Sequence, residues 1–518
     1  MKTNQLLKRS ISFALTVCMA ITGMTGCKSN PESTVSGGSK GGSDQIYTIR
    51  YVTPGNEPNN MKQILDAVNK KMLKDGLKVQ LDVVRVPWDA WDQKTNLMFV
   101  NGEKVDLIHV MQDQKPASYL LSKNYVLPLN DYLKDFPELS KKFDAQMWKE
   151  VSLNGKIGAI PAAWKLFTAE NKAEGNLFYR TDVLKKLGLS IPKTPDELLT
   201  TAVKMKSYVE KQTGQKTYFN TMDVKFPAYW LERSYNTYPF YVDMSTNLFK
   251  INQNGMVDSW FESNEFKSDA QYFRKMYQAG LINPDLLSKN DYQDVPSKGT
   301  VLFGDCFNYS TQETLRSVAK IPDATIDSGK LGPDKTVIVP MTVGNANAIP
   351  KSCKNPKAVL QFLNWLYGSP ENHDLFIFGI EGQDYTKVNG SDRKIDIKKD
   401  ASGSPMYSFD SWQIGYYPYM LYDKMTPDAM IKDFTTPREA GTYEYSPAAG
   451  FMFDESGVTT EMASLRSAIV TNIYPIKFGF VDYDAAYPKA IAQLKAAGLD
   501  KVMQEYQKQF KAYLAANK

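Results

Sequence analysis

The sequence predicts an α/β fold. Three observations carry that prediction. Strand and helix periodicities alternate along residues 46–111, the body of the chain contains no apolar run long enough to cross a membrane, and its length suits two domains or one large bilobed body. Ile46-Tyr-Thr-Ile-Arg-Tyr-Val52 alternates as a strand does, and Pro54-Gly-Asn-Glu-Pro58 is a turn. Met61, Ile64, Leu65, Val68, Met72 and Leu73 recur at helical spacing, and Leu77 to Val86 forms a second strand. Strand, helix, strand is the unit of a parallel sheet with right-handed crossovers. Asp89 is a candidate cap for a helix reaching about Asn101, and Val105 to Met111 is a third, mostly apolar strand. Such a strand expects both sheet faces to be covered.

Further along, Gly155-Lys-Ile-Gly-Ala-Ile-Pro161 and Asn176-Leu-Phe-Tyr-Arg180 are extended segments. Thr181-Asp182 opens a short helix that Gly188 ends. Thr194 or Asp196 caps the next helix, whose entry is stiffened by Pro192 and Pro195.

The first 27 residues have their own logic. Lys2, Lys8 and Arg9 precede an apolar run from Ile11 to about Ile21, which ends in Met24-Thr-Gly-Cys27. This resembles a bacterial lipoprotein signal with its lipobox, which implies cleavage before Cys27 and a diacylglycerol on its thiol. The alternative, a single spanning helix, needs about 20 apolar residues, more than this run supplies. Residues 1–26 are then the signal, and 27–43 a lipidated cysteine with a Gly- and Ser-rich flexible leash. Loss of the signal's three cations lowers the formal net charge from +5 to +2, near neutrality and without a basic block, which argues against nucleic acid as a partner. Of the four cysteines, Cys18 leaves with the signal and Cys27 is the lipid site. Cys306 and Cys353 remain as an exported pair or, on the favoured reading, as two buried thiols.

Catalytic chemistry is poorly supplied. His109 and His373 are the only histidines, and no H-E-x-x-H, C-x-x-C or G-x-x-x-x-G-K string occurs. Gly37-Gly-Ser-Lys-Gly41 imitates a nucleophile elbow but lies in the leash. The carboxylates of Asp454-Glu455 are adjacent and diverge, so they cannot flank a glycosidic bond. These readings point away from an enzyme, from a metal centre and from any cofactor.

From Gly155 to Leu198 the chain resembles the extracellular solute-binding proteins of ABC importers, in particular their carbohydrate-binding group. A glycine–lysine strand, an isoleucine–proline break and the Pro192-Lys-Thr-Pro-Asp-Glu-Leu198 helix entry follow in that family's order. Gly299-Thr-Val-Leu-Phe-Gly-Asp305 and Thr342 to Leu366 are similar to two later stretches, and Gly379 to Tyr385 and Asp454 to Phe510 look like a longer Gram-positive lipoprotein subgroup. The resemblance implies a two-lobed periplasmic-binding-protein-like (type II) fold with a hinge. Lobe one would hold 44–162 and 336–384, and lobe two 163–335 and 385–518. It implies a protein on the outer face of the cell membrane, held by its lipid, that captures an oligosaccharide between the lobes and passes it to ABC permease subunits. Oligopeptide capture and a surface glycan-active enzyme are the alternatives.

A sugar needs aromatic platforms for its C–H faces and planar polar groups for its hydroxyls. Trp412 is the first choice of platform, with Tyr416 near it; Tyr309 follows the 299–305 strand, with Asn308 as its polar neighbour. Trp164 sits just past the first crossing. Gln112 and Asp113 follow the third strand, Glu57 lies in the first strand–helix turn, and Asn345 lies on the return crossing. Trp88 and Trp91 are spaced i, i+3 at a helix start, so packing is the favoured reading for both. Tyr229, Trp230 and Tyr235 form a cluster that the sequence does not place.

Overall fold

The computed structural model describes residues 45–516, apart from 113, 164, 167–174, 244, 291, 309, 310, 334, 335, 340, 402, 403, 438 and the side chain of 433. Cys27 and its leash lie outside the described residues. The chain opens with β1 (Tyr47–Pro54), α1 (Met61–Lys74), β2 (Val79–Val86), α2 (Trp88–Asn101) and β3 (Leu107–Met111). After α3 (Ala145–Glu150) come β4 (Ile160–Ala162), β5 (Leu177–Arg180), α4 (Pro195–Thr213), α5 (Asn264–Gln278), β6 (Phe303–Gly304), β7 (Ile326–Gly329) and β8 (Val337–Val339). Then follow β9 (Asn345–Ala348), α6 (Ser411–Ile414), β10 (Tyr443–Tyr445) and α7 (Leu499–Ala516).

The first sheet has the order β2–β1–β3–β9–β4. β1 pairs in parallel with β2, from Tyr47↔Val79 to Pro54↔Val86, and with β3 at Tyr51↔Leu107. α1 buries Met61, Ile64, Val68 and Met72 of its expected stripe against this sheet, while Leu65 is half-buried and Leu73, in the last turn, is exposed. β3 is buried along its whole length because it is central. Two antiparallel pairings complete the sheet: β9 pairs with β3 at Asn345↔Met111 and with β4 at Asn345↔Ala162, so β4 runs in the direction of β1–β3. Asp89 does not cap α2. Pro87 precedes the helix without a side-chain cap, and Asp89 sits in the first turn, where a carboxylate favours the helix dipole. Thr194 does cap α4, its hydroxyl accepting from the Glu197 N–H at 3.2 Å.

The second lobe is assembled differently. Its central sheet is a short antiparallel one, β6–β5–β7, covered by α4 and α5. The unplaced aromatic cluster belongs here: Trp230 is buried against Phe219 at 5.3 Å and Phe273 at 5.8 Å, and the Tyr235 hydroxyl donates to Asp269 at 2.7 Å. A further core joins Phe249, Trp260 and Phe266 to Ile473, Tyr506 and Phe510, so α7 closes this lobe.

One boundary moves. The sequence reading sends everything after 384 to the second lobe, but Tyr385, Ile395, Tyr407, Phe409, Ile414, Tyr416, Tyr422 and Phe434 are buried in the first core beside Tyr51 and Phe376. The reason is local: the Tyr407 hydroxyl donates to Phe376 O at 2.7 Å, Tyr367 to Ile414 O at 3.0 Å, and Asn347 Nδ2 to Gln413 O at 2.9 Å. The chain therefore passes between lobes three times: after Ala163, between Ile338 and Val343, and between Phe434 and Ala448. β8 and β10 pair in parallel, joining the second passage to the third. Glu150, at the end of α3, clamps the second passage. Its buried carboxylate accepts from Thr342 N and Val343 N at 2.8 Å each, from the Thr342 hydroxyl at 2.7 Å and from Gln146 Nε2 at 2.9 Å. Cys306 and Cys353 are not joined by a disulfide; Cys353 is buried, as the favoured reading expects, and Cys306 is half-buried.

Candidate ligand-binding face

Register decides where a ligand would sit. β1, β2 and β3 run in parallel and end together at Pro54, Val86 and Met111. The chain leaves this lobe beside the same edge at Ala162 and returns to it at Asn345, with the Gln112 N–H donating to Gly344 O at 3.0 Å. The carboxyl ends of the strands therefore face the passages to the other lobe, the position where open α/β sheets bind ligands. On the second lobe, β6 and β7 both end beside Leu177, the start of β5, where the first passage arrives.

Along the first edge the rings form a graded series from core to solvent. Trp91 is buried and lies 6.4 Å from the His109 ring. His109 meets Trp412 edge-on at 5.1 Å and 81°, and Trp412 stacks on Trp88 at 5.8 Å and 24°. Trp88 is 53% exposed. Burial pushes His109 down to about 3, so the ring is neutral, and its Nε2 lies 3.1 Å from Asn345 Oδ1. The outer end of the series is a broad indole surface held from beneath, able to take the C–H face of a flat ring.

Beside it lies a fixed ion pair. Arg85, at the end of β2, donates to Asp410 Oδ2 at 2.6 Å, to Gln413 Oε1 at 3.0 Å and to Asn56 O at 3.0 Å, with its guanidinium 5.0 Å over Phe409. Gln413 returns a bond to Pro54 O at 2.9 Å. These contacts tie β1, β2 and α6 together under the two tryptophans. Gly55 makes the arrangement possible: its φ is +110°, and a Cβ there would stand 2.4 Å from Arg85 Nη2.

In the second lobe, the turn after β6 and the segment 221–226 are braced from within. Asp305, just past β6, accepts from Met222 N and the Thr221 hydroxyl, both at 3.1 Å. Lys477 is buried and donates to Val224 O at 2.6 Å and Phe226 O at 2.7 Å.

The expected site residues divide. Trp412 and Asn345 lie on the first edge, and Glu57 is exposed in its first turn. Gln112 is buried instead: its Nε2 donates to Glu150 O at 3.0 Å and its Oε1 accepts from Ala117 N at 2.7 Å, so it braces β3 against the following helices. Tyr416 is a core residue, with its ring 5.6 Å from Tyr367 and 5.1 Å from Tyr419, because the 385–434 segment belongs to the first lobe. Asn308 shapes the turn into the helix Thr311–Ser317, its N–H donating to the Thr311 hydroxyl at 3.2 Å. Trp164, Tyr309 and Asp113 lie outside the described residues. The sequence reading misses Trp88, Arg85, Asp410 and Gln413. For Trp88 the signal is Pro87: it starts the helix at the sheet edge, so the first residue overhangs while Trp91, one turn on, packs.

Two α/β lobes joined by three passages, with an aromatic face at the strand ends, define the class of two-lobed solute-binding proteins. The chain belongs to the bacterial extracellular solute-binding protein family, which matches residues 55–372, and residues 447–515 match a domain of unknown function. It is 24% identical over 483 residues, 91% of each chain, to a carbohydrate ABC transporter substrate-binding protein of Streptococcus pneumoniae serotype 4. It is 26% identical over 268 residues, 51% of this chain and 49% of the relative, to lipoprotein LipO of Bacillus subtilis strain 168. Among solved structures it resembles the N-glycan transport solute-binding protein NgtS of S. pneumoniae, with a TM-score of 0.68 and 20% identity over 91% of this chain and 100% of that one. It also resembles an HMO-binding solute-binding protein of Bifidobacterium longum infantis, with a TM-score of 0.63 and 17% identity over 90% and 99%.

Proposed function

We propose that this protein is a lipid-anchored binder on the outer face of the cell membrane that captures an oligosaccharide between its lobes and hands it, unchanged, to an ABC permease. The observation that carries this reading is the half-exposed Trp88 stacked on Trp412 at the strand edge facing the passages. A ring-shaped, hydroxylated ligand seated there would gain further contacts from the second lobe. That differential affinity shifts the population toward a closed form. The carbohydrate relative and the sugar-binding structural neighbours support the ligand class. The Met24-Thr-Gly-Cys27 pattern and the lipoprotein relative support the anchor. Trp164, Tyr309, Asn308, Glu57 and Asn345 complete the proposed cleft.

Calorimetry against a panel of oligosaccharides, with small-angle scattering of free and loaded protein, tests the reading. A binding sugar that reduces the radius of gyration is the expected result, and Trp88→Ala should weaken it at least tenfold with an unchanged melting temperature. A panel in which nothing binds, or release of reducing ends from a bound glycan, ends the proposal. Labelling of cells with a radioactive fatty acid should mark the protein and not its Cys27→Ala variant.

A further inference from the structure

Asp410 is held in one position and is only half used. Its Oδ2 accepts from Arg85 Nη2 at 2.6 Å and from Gln413 Nε2 at 3.2 Å, while Oδ1 has no hydrogen-bond partner among the described residues. The Asp410 side chain is 44% exposed, whereas that of Arg85 is 5% exposed. The guanidinium is taken up by Asn56, Thr53, Gln413, Asp410 and Phe409. To a ligand the pair therefore presents a carboxylate oxygen and no cation. Asp410 lies two residues from Trp412, and its partner Arg85 lies three from Trp88, so the acceptor flanks the indole platform.

The rest of the edge has the same sign. Among the described residues, segments 53–57, 85–92, 111–115, 343–345 and 409–413 carry four carboxylates, on Glu57, Asp89, Asp92 and Asp410, against two cations, Arg85 and Lys115. Lys115 is also engaged, bonding Asp92 and, at 2.9 Å, Asn96. Glu57 and Asp89 are exposed. A sugar hydroxyl donating to Asp410 Oδ1 would make a charge-assisted bond whose geometry is fixed beforehand. A uronate, sialate or sulfate on the same ring would meet like charge with no free guanidinium to receive it.

We infer that Asp410 is a specificity-determining residue of this face, accepting a ligand hydroxyl beside the Trp88–Trp412 platform and restricting the ligand to neutral oligosaccharides. The inference rests on the oligosaccharide reading given above. Its test is calorimetry of the full mature chain with two size-matched panels of three to six sugars: neutral gluco-, manno-, fructo- and N-acetylhexosamine oligomers, and oligomers of glucuronic, mannuronic and guluronic acid. Neutral ligands should bind and oligouronates should not, and Asp410→Asn should weaken the best neutral ligand about tenfold. Should that variant melt low because Arg85 is left uncompensated, the pair Arg85→Met with Asp410→Asn provides the folded background for the same measurement. An oligouronate that binds as tightly as the best neutral ligand overturns the inference and leaves the oligosaccharide reading standing. So does a folded Asp410→Asn of unchanged affinity. If neither panel binds, both fall.

Discussion

Two enclosed acid sites, one in each lobe, are held differently. In the first, Glu150 is fully enclosed, yet its two oxygens accept four hydrogen bonds, two of them from the backbone of the second passage. In the second, Glu232 and Asp269 lie enclosed side by side, with Lys477 buried nearby. Burial, reinforced by the Asp269 charge, pushes Glu232 well above the usual carboxylate range, and burial pushes Asp269 up to about 7. Burial likewise pushes Lys477 down to about 8. Burial raises Glu150 as well, against the pull of those four donors. The first acid is opposed by hydrogen bonds, whereas the second lobe's acids lean on each other.

The sharpest way to break this comparison is to remove one acid from each lobe. Glu150→Ala leaves two buried backbone N–H groups and a hydroxyl unpaired, and should cost about 3–5 kcal/mol of unfolding free energy in urea titrations. Glu232→Gln keeps the shape of an acid that already holds its proton, and should change stability at pH 7 by no more than about 1 kcal/mol. Equal losses would mean that the two acids are held in the same way.

A smaller effect is expected in the pH profile. Unfolded Asp269 loses its proton near 4 and the folded residue keeps it to about 7, so the native state holds the extra proton between and stability falls as pH rises through that window. Unfolded Lys477 stays protonated to about 10.5 while the folded amine is neutral from about 8, so stability rises again above 8. Urea midpoints across pH 4–10 should therefore pass through a minimum between about 7 and 8. Glu232, also raised, shares that fall, so Asp269→Asn should make the acid limb shallower without abolishing it and leave the alkaline limb in place; an unchanged profile in that variant would assign the slope to other groups. The smallest expected effect returns to the first lobe: Gly55→Ala, with φ at +110° and Arg85 in the way, should cost about 2 kcal/mol and weaken sugar binding.

The first lobe was the more legible in sequence for the same physical reason. A parallel sheet covered on both faces writes its strands as apolar or alternating runs, so β1, α1, β2 and β3 fall within two residues of their expected limits. In the second lobe, strands such as Phe303–Gly304 span two residues and carry no period. The position of a candidate residue was legible where a strand end places it, as with Asn345. They were misread where exposure depends on a tertiary neighbour: Tyr416 and Gln112 look free in sequence but are enclosed, and Trp88 looks packed but overhangs. Arg85 and Asp410 are 325 positions apart, and no local pattern joins them.

The threefold traverse between lobes also orders events in time. Every buried contributor to the first core precedes residue 435, whereas the second lobe still awaits Tyr506, Phe510 and Tyr513. As a polypeptide crosses the membrane from its amino end, the platform-bearing half has all its parts before its counterpart does. A truncation within the last helix would then leave one intact half attached to one that cannot close its interior, a product well suited to recognition by proteases.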